Sequence, residues 1–393
     1  MWIERQISEK ILSNADPIQV VRGPRQCGKS SLILRLSSDY VEISLDDLNL
    51  RQLAQSDPNL LLSQFGDRKL FIDEAQYAPA LFPELKRRAD LYKRSKPRHP
   101  ETIVRLTGSN QILLDQNVKE SLAGRASFFD MNTLTVAEIL NSVPLPIQTI
   151  LYTGGWPELY AQTPVREPRK YLDDYINSYI ERDIIMSAGI QKQAAFLKLV
   201  RLLAGRVGQI VDFSSFGAEA GVDAKTAREW ISILERMRTI ALVPPYFSNL
   251  SSRLTKSPKL YFIDTGLACR LQGWTSPEII LTSPQQGGLF ENLVFSEIYK
   301  LNLNYQLGWT IYHWRSKDKE EIDFLIDKGP AGNIFLEAKV SAQKIRGLDT
   351  FPEVQKVFGK KKPPLYLCHM EGSQILAGNI PIAKLSSFLL GHN

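Results

Sequence analysis

One eight-residue stretch constrains this chain more than any other: Gly23-Pro24-Arg25-Gln26-Cys27-Gly28-Lys29-Ser30, which reads G-x-x-x-x-G-K-[ST]. An apolar run, Ile18-Gln19-Val20-Val21, precedes it, and a helix-like run from Ser31 to Leu36 follows it. Strand, glycine loop and helix together form the setting in which this pattern becomes a phosphate cradle. Gly23 and Gly28 let the backbone bend and approach an anion closely. Main-chain amides gather at the helix N-terminus. Lys29 adds a cation, and the Ser30 hydroxyl suits Mg2+. The plainer alternative is a glycine turn before a surface helix.

A second apolar run, Leu70-Phe71-Ile72-Asp73-Glu74, ends in two acids, as a Walker B strand does. Asp73 is the candidate to hold the metal with Ser30, and Glu74 the candidate to polarise an attacking water. A strand end capped by solvated acids is the competing account. A third run, Ile103 to Thr107, ends in Gly108-Ser109-Asn110. In ATPases with an extra strand between the phosphate-loop and Walker B strands, a polar residue here senses the γ-phosphate. Ser109 and Asn110 are the candidates, and a simple strand-end turn is the rival. Val41–Leu45 and Ser127–Met131 supply two more strands, which predicts a three-layer α/β sheet over residues 1–134. The expected cofactors are ATP and Mg2+.

Downstream, residues 135–190 read as a helical lid or linker, with Tyr171, Leu172, Tyr175, Ile176, Tyr179 and Ile180 at helical spacing. Residues 191–247 read as a winged helix. Its third helix is capped by Asp223, with Ala227, Trp230, Leu234 and Met237 inward and Lys225, Arg228 and Arg236 elsewhere. Such a module can contact DNA or serve only as packing. Residues 248–285 form a connector, and residues 286–393 a last α/β domain.

That last domain carries a second constellation. A helix from Phe290 to Lys300 is followed by strands at 310–315, 321–326 and 334–340, a helix at 351–358 and a strand at 365–368. Asp323 and the Glu337-x-Lys339 pair resemble the PD-(D/E)xK nuclease site. Alternation along a strand puts Glu337 and Lys339 on one face, where Asp323 can join them. Asp323 and Glu337, with Glu291 completing the shell, are the expected metal ligands, and Lys339 would orient water or stabilise developing charge. A salt-bridged pair on a sheet edge is the alternative, since E-x-K recurs at Glu84-Leu85-Lys86 in a different setting.

Composition sets loose bounds. A net charge of +6 permits nucleic-acid contact without requiring it. Basic residues crowd at Lys86-Arg87-Arg88, Lys93-Arg94, Lys96 and Arg98, and again at Lys360-Lys361-Lys362, although such clusters also serve as solvated faces. Cys27, Cys269 and Cys368 lack metal or disulfide spacing. The start, Met1-Trp2-Ile3-Glu4-Arg5, does not read as a signal peptide, and no apolar run approaches membrane-spanning length. A cytoplasmic protein with no membrane partner is expected.

Taken in order, the motifs resemble a family of bacterial and archaeal ATPases. These join an AAA-like ATPase domain to a C-terminal domain of unknown function with a restriction-endonuclease-like end. The resemblance rests on Gly23–Ser30, Leu70–Glu74, Leu106-Thr107-Gly108-Ser109, Leu122-Ala123-Gly124-Arg125, Tyr179-Ile180-Glu181-Arg182-Asp183, Pro258–Leu267 and the nuclease-like segments. It implies Arg125 or Arg182 as an arginine finger acting across a subunit boundary, with a surface salt bridge as the alternative for each. It leaves a homo-oligomer open. The expectation is an ATPase acting on nucleic acid, DNA first, through a metal-dependent nuclease-like domain. The alternative is a non-nucleolytic ATPase switch or regulator whose C-terminal domain only binds DNA or a protein partner.

Overall fold

A computed structural model describes residues 1–95, 100–109, 122–162, 166–246, 256–315, 320–345, 352–359 and 362–391. The chain divides into two compact units. The first comprises Glu4–Thr133 with Leu303–Gln306, and the second Met1–Ile3, Leu134–Asn302 and Leu307–Asn393.

The first unit is built on strands β1 (Ile18–Arg22), β2 (Val41–Ser44), β3 (Leu70–Asp73), β4 (Val104–Gly108) and β5 (Ala126–Asp130), in the order β2-β3-β4-β1-β5. Every neighbouring pair is parallel, so each connection must cross over a face of the sheet. Strands covered on both faces need continuous burial, and β3 and β4 are buried along their whole length. Ile18, Val20, Ile72 and Leu106 share one core with Leu61, Phe82 and Leu85 from the helices Pro58–Ser63 and Leu81–Ser95. A polar cross-link sits inside this sheet. Gln19 and Arg105 are register partners, and the Arg105 Nε donates to Gln19 Oε1 at 3.0 Å while its Nη1 donates to Ser37 Oγ at 2.6 Å. The pair holds β4 beside β1.

In the second unit the segment around 169–187 is helical, with a π-helical stretch, Ile176–Ile184, between the helices Pro168–Tyr175 and Ile185–Ala188. Then come the helices Gln193–Ala204, Phe213–Ala220 and Ala224–Arg236. Asp223 caps the last by accepting from the Thr226 amide at 2.8 Å. Ala227, Trp230, Leu234 and Met237 are buried, whereas Lys225, Arg228 and Arg236 are exposed. An antiparallel hairpin follows, β6 (Ile240–Val243) with β7 (Lys259–Phe262). Its return strand lies in the stretch that the sequence suggested was a connector.

The C-terminal sheet contains β8 (Thr310–Arg315), β9 (Glu321–Asp327), β10 (Asn333–Ala338), β11 (Leu365–His369) and β12 (Asn379–Pro381), in the order β12-β11-β10-β9-β8. The β8–β9 and β9–β10 pairs are antiparallel, while β10–β11 and β11–β12 are parallel. The strand β12 and the closing helix Ile382–Leu390 extend the expected order. Phe335 and Leu336 of β10 are fully buried. The ladder of β10 stops at Ala338 rather than at residue 340, although the Lys339 amide still donates to the Cys368 carbonyl at 2.9 Å.

Within this unit the Gly154-Gly155 turn is locked by Asp264. Its carboxylate accepts from the Gly155 amide at 2.8 Å and caps the helix Thr265–Leu271 through the Leu267 amide at 3.2 Å. A Cβ on Gly155 would meet the Leu134 carbonyl oxygen at 2.3 Å, and backbone cannot yield cheaply. Asp264→Ala should therefore destabilise the chain by about 2–4 kcal/mol, through a lost cap and buried amides left without an acceptor. Gly155→Ala should be at least as damaging. Urea denaturation monitored by tryptophan fluorescence reads both.

Candidate functional site

The loop that begins at Gly23 is shaped by close approach and by handedness. A Cβ on Gly23 would lie 1.9 Å from the Met131 carbonyl oxygen, so no other residue fits without moving the backbone just past β5. Gly28 has φ +93° and caps the helix Lys29–Leu36, in the region that glycine adopts without steric cost. The loop is braced from beneath by Arg5, a buried guanidinium that donates to the Cys27 carbonyl at 2.8 Å and the Asn132 carbonyl at 2.6 Å. The Lys29 ammonium folds over the same loop and donates to the carbonyls of Gly23 at 3.1 Å and Pro24 at 2.8 Å. It is a buried cation held by neutral acceptors.

Ser30 Oγ donates to Asp73 Oδ1 at 2.8 Å. These oxygens are placed as two ligands of one small hard cation would be, so the residues fit Mg2+. Thr107, at the end of β4, bonds Asp73 Oδ1 through its hydroxyl and accepts from the Glu74 amide at 3.3 Å. Glu74 lies one residue past β3, at φ +55°. Its Oε2 accepts from the Ser109 hydroxyl at 2.8 Å, the Ser109 amide at 3.3 Å and the Gln76 side chain. Because β4 lies between β1 and β3, Ser109 stands between the glycine loop and Glu74. Asn110 lies outside the described residues.

The two arginines stand apart from this cluster. Arg125 immediately precedes β5, and its carbonyl accepts from the Ile18 amide at the start of β1. It is thus at the end of the parallel sheet opposite the glycine loop. Its guanidinium pairs with Asp90 at 2.9 Å. Arg182 lies in the π-helical stretch, and its side chain is outside the described residues, as are Lys96, Arg98, Lys360 and Lys361.

The second constellation comes together differently. Asp323 Oδ2 accepts from the Ala338 amide at 2.8 Å and lies 3.6 Å from the Lys339 ammonium. Glu337 is one register step beyond the last paired residues of β9 and β10, Phe324 and Leu336. Glu291, however, turns to Lys259 at 3.1 Å and to the Tyr261 hydroxyl at 2.5 Å. Lys259 also meets Glu321 Oε1 at 2.5 Å and Asp323 Oδ1 at 3.9 Å. Among the described residues, no group of three His, Cys, Asp or Glu side chains could hold a metal ion. The donor set of Glu291, Asp323 and Glu337 thus does not fit a metal, since an ammonium stands among its carboxylates. Burial first and the Asp323 charge second push the Glu291 carboxyl up to about 7, against the pull of Lys259. Burial acts to lower the Lys259 ammonium, but Glu291, Asp323 and Glu321 outweigh it and hold it above the usual lysine value.

Sequence reasoning passed over Arg5, Gln76 and Thr107 in the first cluster, and Lys259, Tyr261 and Glu321 in the second. Two signals were present. Thr107 is the polar end of an apolar strand beside Gly108, and Lys259 opens the apolar run Leu260-Tyr261-Phe262.

Residues 15–140 match a family model described as AAA domain. The first unit has an α/β fold of the P-loop NTPase-like kind. Residues 146–278 and 286–386 match models described as Domain of unknown function (DUF8612) and Domain of unknown function (DUF4143). The chain is 28% identical over 332 residues to an uncharacterized protein of Mycobacterium tuberculosis, covering 83% of this chain and 72% of that one. It is 23% identical over 242 residues to an uncharacterized protein of Haemophilus influenzae, covering 58% and 56%. Among solved structures, a Walker-type ATPase of Pyrococcus abyssi aligns with TM-score 0.44 and 16% identity, covering 68% of this chain and 95% of that one. Thermotoga maritima RuvB aligns with TM-score 0.26 and 14% identity, covering 61% and 86%.

The brace beneath the phosphate loop of this fold is open to test. Arg5→Ala removes both donors to buried carbonyls and should cost about 2–3 kcal/mol of stability. It should also speed amide exchange across residues 23–28, read by hydrogen–deuterium exchange.

Proposed function

We propose that this chain binds and hydrolyses ATP with Mg2+ and uses that cycle as a switch, its second unit serving as a binding module rather than a nuclease. The observation that carries this is the cluster of Ser30, Asp73, Glu74 and Ser109 beside a glycine loop. Ser30 and Asp73 are the residues to hold Mg2+, which when bound neutralises phosphate charge. Lys29 offers its ammonium to phosphate oxygens in place of the Gly23 and Pro24 carbonyls. Glu74 takes the proton of the attacking water. Ser109 bonds Glu74 and is also the residue to meet the γ-phosphate, so its exchange between the two couples the base to the nucleotide. Arg125 is remote from its own phosphate loop, so as an arginine finger it would serve a neighbouring copy in a homo-oligomer. Arg182 is the other candidate for that role.

Residues 135–190 serve as a lid, and the helices from Gln193 to Arg236 with the β6–β7 hairpin as a winged helix. Exposed Lys225, Arg228 and Arg236 support a nucleic-acid partner, with DNA as the first to test. The C-terminal sheet brings the Lys339 ammonium within 3.6 Å of Asp323, the pair on which a nuclease reading would rest. The lack of fit to a metal favours the switch over cleavage. No helix among the described residues is long and apolar enough to cross a membrane.

Three variants test this reading. Lys29→Ala should weaken ATP binding by about 10- to 100-fold, as expected for losing a hydrogen bond to a charged group. Glu74→Gln should retain binding but slow hydrolysis by about 10²- to 10⁴-fold. Unchanged nucleotide affinity in the first, or unchanged turnover in the second, sinks the ATPase reading. DNA or RNA cleavage with Mg2+ or Mn2+ that disappears in Lys339→Ala would instead establish the nuclease.

A further inference from the structure

The acid centre of the second unit has an occupant of its own. Lys259 opens β7, its side chain only 3% exposed, and its ammonium meets Glu291, Glu321 and Asp323 at 3.1, 2.5 and 3.9 Å. The three carboxylates arrive from two separate elements, Glu291 from the helix Gln286–Asn304 and Glu321 and Asp323 from β9, while the lysine arrives from the hairpin. The fully buried Tyr261 hydroxyl, from the same strand as Lys259, donates to Glu291 Oε1 at 2.5 Å and fixes the carboxylate that the lysine also holds. A lone buried ammonium is expensive, and so are the largely buried carboxylates of Glu291 and Asp323, while Glu321 also reaches solvent. Each explains the burial of the other. A divalent ion at the same place would bring two positive charges next to a third that cannot reach water, and Coulomb repulsion at this depth is strong.

We propose that Lys259 is the resident counter-cation of this centre, its ammonium standing where a divalent metal would have to bind. On this assignment the carboxylates remain competent donors but are committed to the lysine, and removing the ammonium turns the centre into a divalent-cation site. The proposal concerns this centre alone and stands whether or not the chain hydrolyses ATP.

The test is Mn2+ binding to the full chain, counted by electron paramagnetic resonance, together with thermal unfolding with and without Mn2+. Lys259→Met is expected to bind one more Mn2+ than the wild type and to lose that site again in Lys259→Met/Asp323→Asn. Its unfolding midpoint should fall below that of the wild type and be partly restored by Mn2+. A folded Lys259→Met with no additional site would overturn the proposal. Should Lys259→Met not fold, wild type and Asp323→Asn decide the matter. Equal Mn2+ counts support the lysine as occupant, and a site present in the wild type but missing in Asp323→Asn refutes it.

Discussion

The parallel order of the first sheet is the constraint on which its chemistry depends. In a parallel sheet every strand delivers its C-terminal end to the same edge. The glycine loop after β1, the acids at the end of β3 and the Thr107–Ser109 segment at the end of β4 therefore converge without any long excursion of the chain. Placing β4 between β1 and β3 makes Thr107 and Ser109 the bridge between the loop and the two acids. The Gln19–Arg105 pair holds those neighbours in register inside an otherwise apolar layer. Burial pushes the Arg105 guanidinium below its usual value, yet its donors are met by Gln19, Leu36 and Ser37, which is how a buried cation is tolerated.

The two acid centres show how the same residue types reach opposite chemistry. Asp73 is held by the hydroxyls of Ser30 and Thr107. Hydroxyls can turn their lone pairs toward a cation, the arrangement that the proposed Mg2+ site requires. Asp323, Glu291 and Glu321 instead face an ammonium, which only donates and carries its charge permanently into the site. Nearby His313 is buried. Burial first, and the Lys259 charge next, push its imidazole down to about 4, so it stays neutral at physiological pH. The charge balance of this centre thus draws on Lys259, on Lys339 at 3.6 Å from Asp323, and on Arg315, the register partner of Glu321.

The hairpin that carries Lys259 does more than follow the helices before it. His313 of β8 exchanges backbone hydrogen bonds with Pro244 and Tyr246, just past β6, so the hairpin is stitched to the edge of the C-terminal sheet. Lys259 and Tyr261 then project from β7 into the acid centre. The Pro258–Leu267 segment, legible only as a family resemblance, thereby has two physical duties. Its start supplies the counter-charge, and Asp264 near its end locks the Gly154–Gly155 turn.

Much of this was legible in the residues alone, and the reason is locality. A phosphate loop is contiguous, its glycines are demanded by backbone geometry, and strands such as Leu70–Asp73 announce themselves by apolar runs ending in acids. The inward stripe of Ala227, Trp230, Leu234 and Met237 followed in the same way from helical periodicity. What the chain could not disclose in one dimension was which distant groups share a small buried volume. Arg5 and Asn132 meet beneath the loop, and Lys259 enters a centre whose carboxylates begin at Glu291 and end at Asp323. Local sequence determined the elements and the residue types at their ends. Tertiary structure alone decided which charges face one another, because the free energy of a buried charge depends on its nearest neighbours in space and hardly at all on its neighbours along the chain.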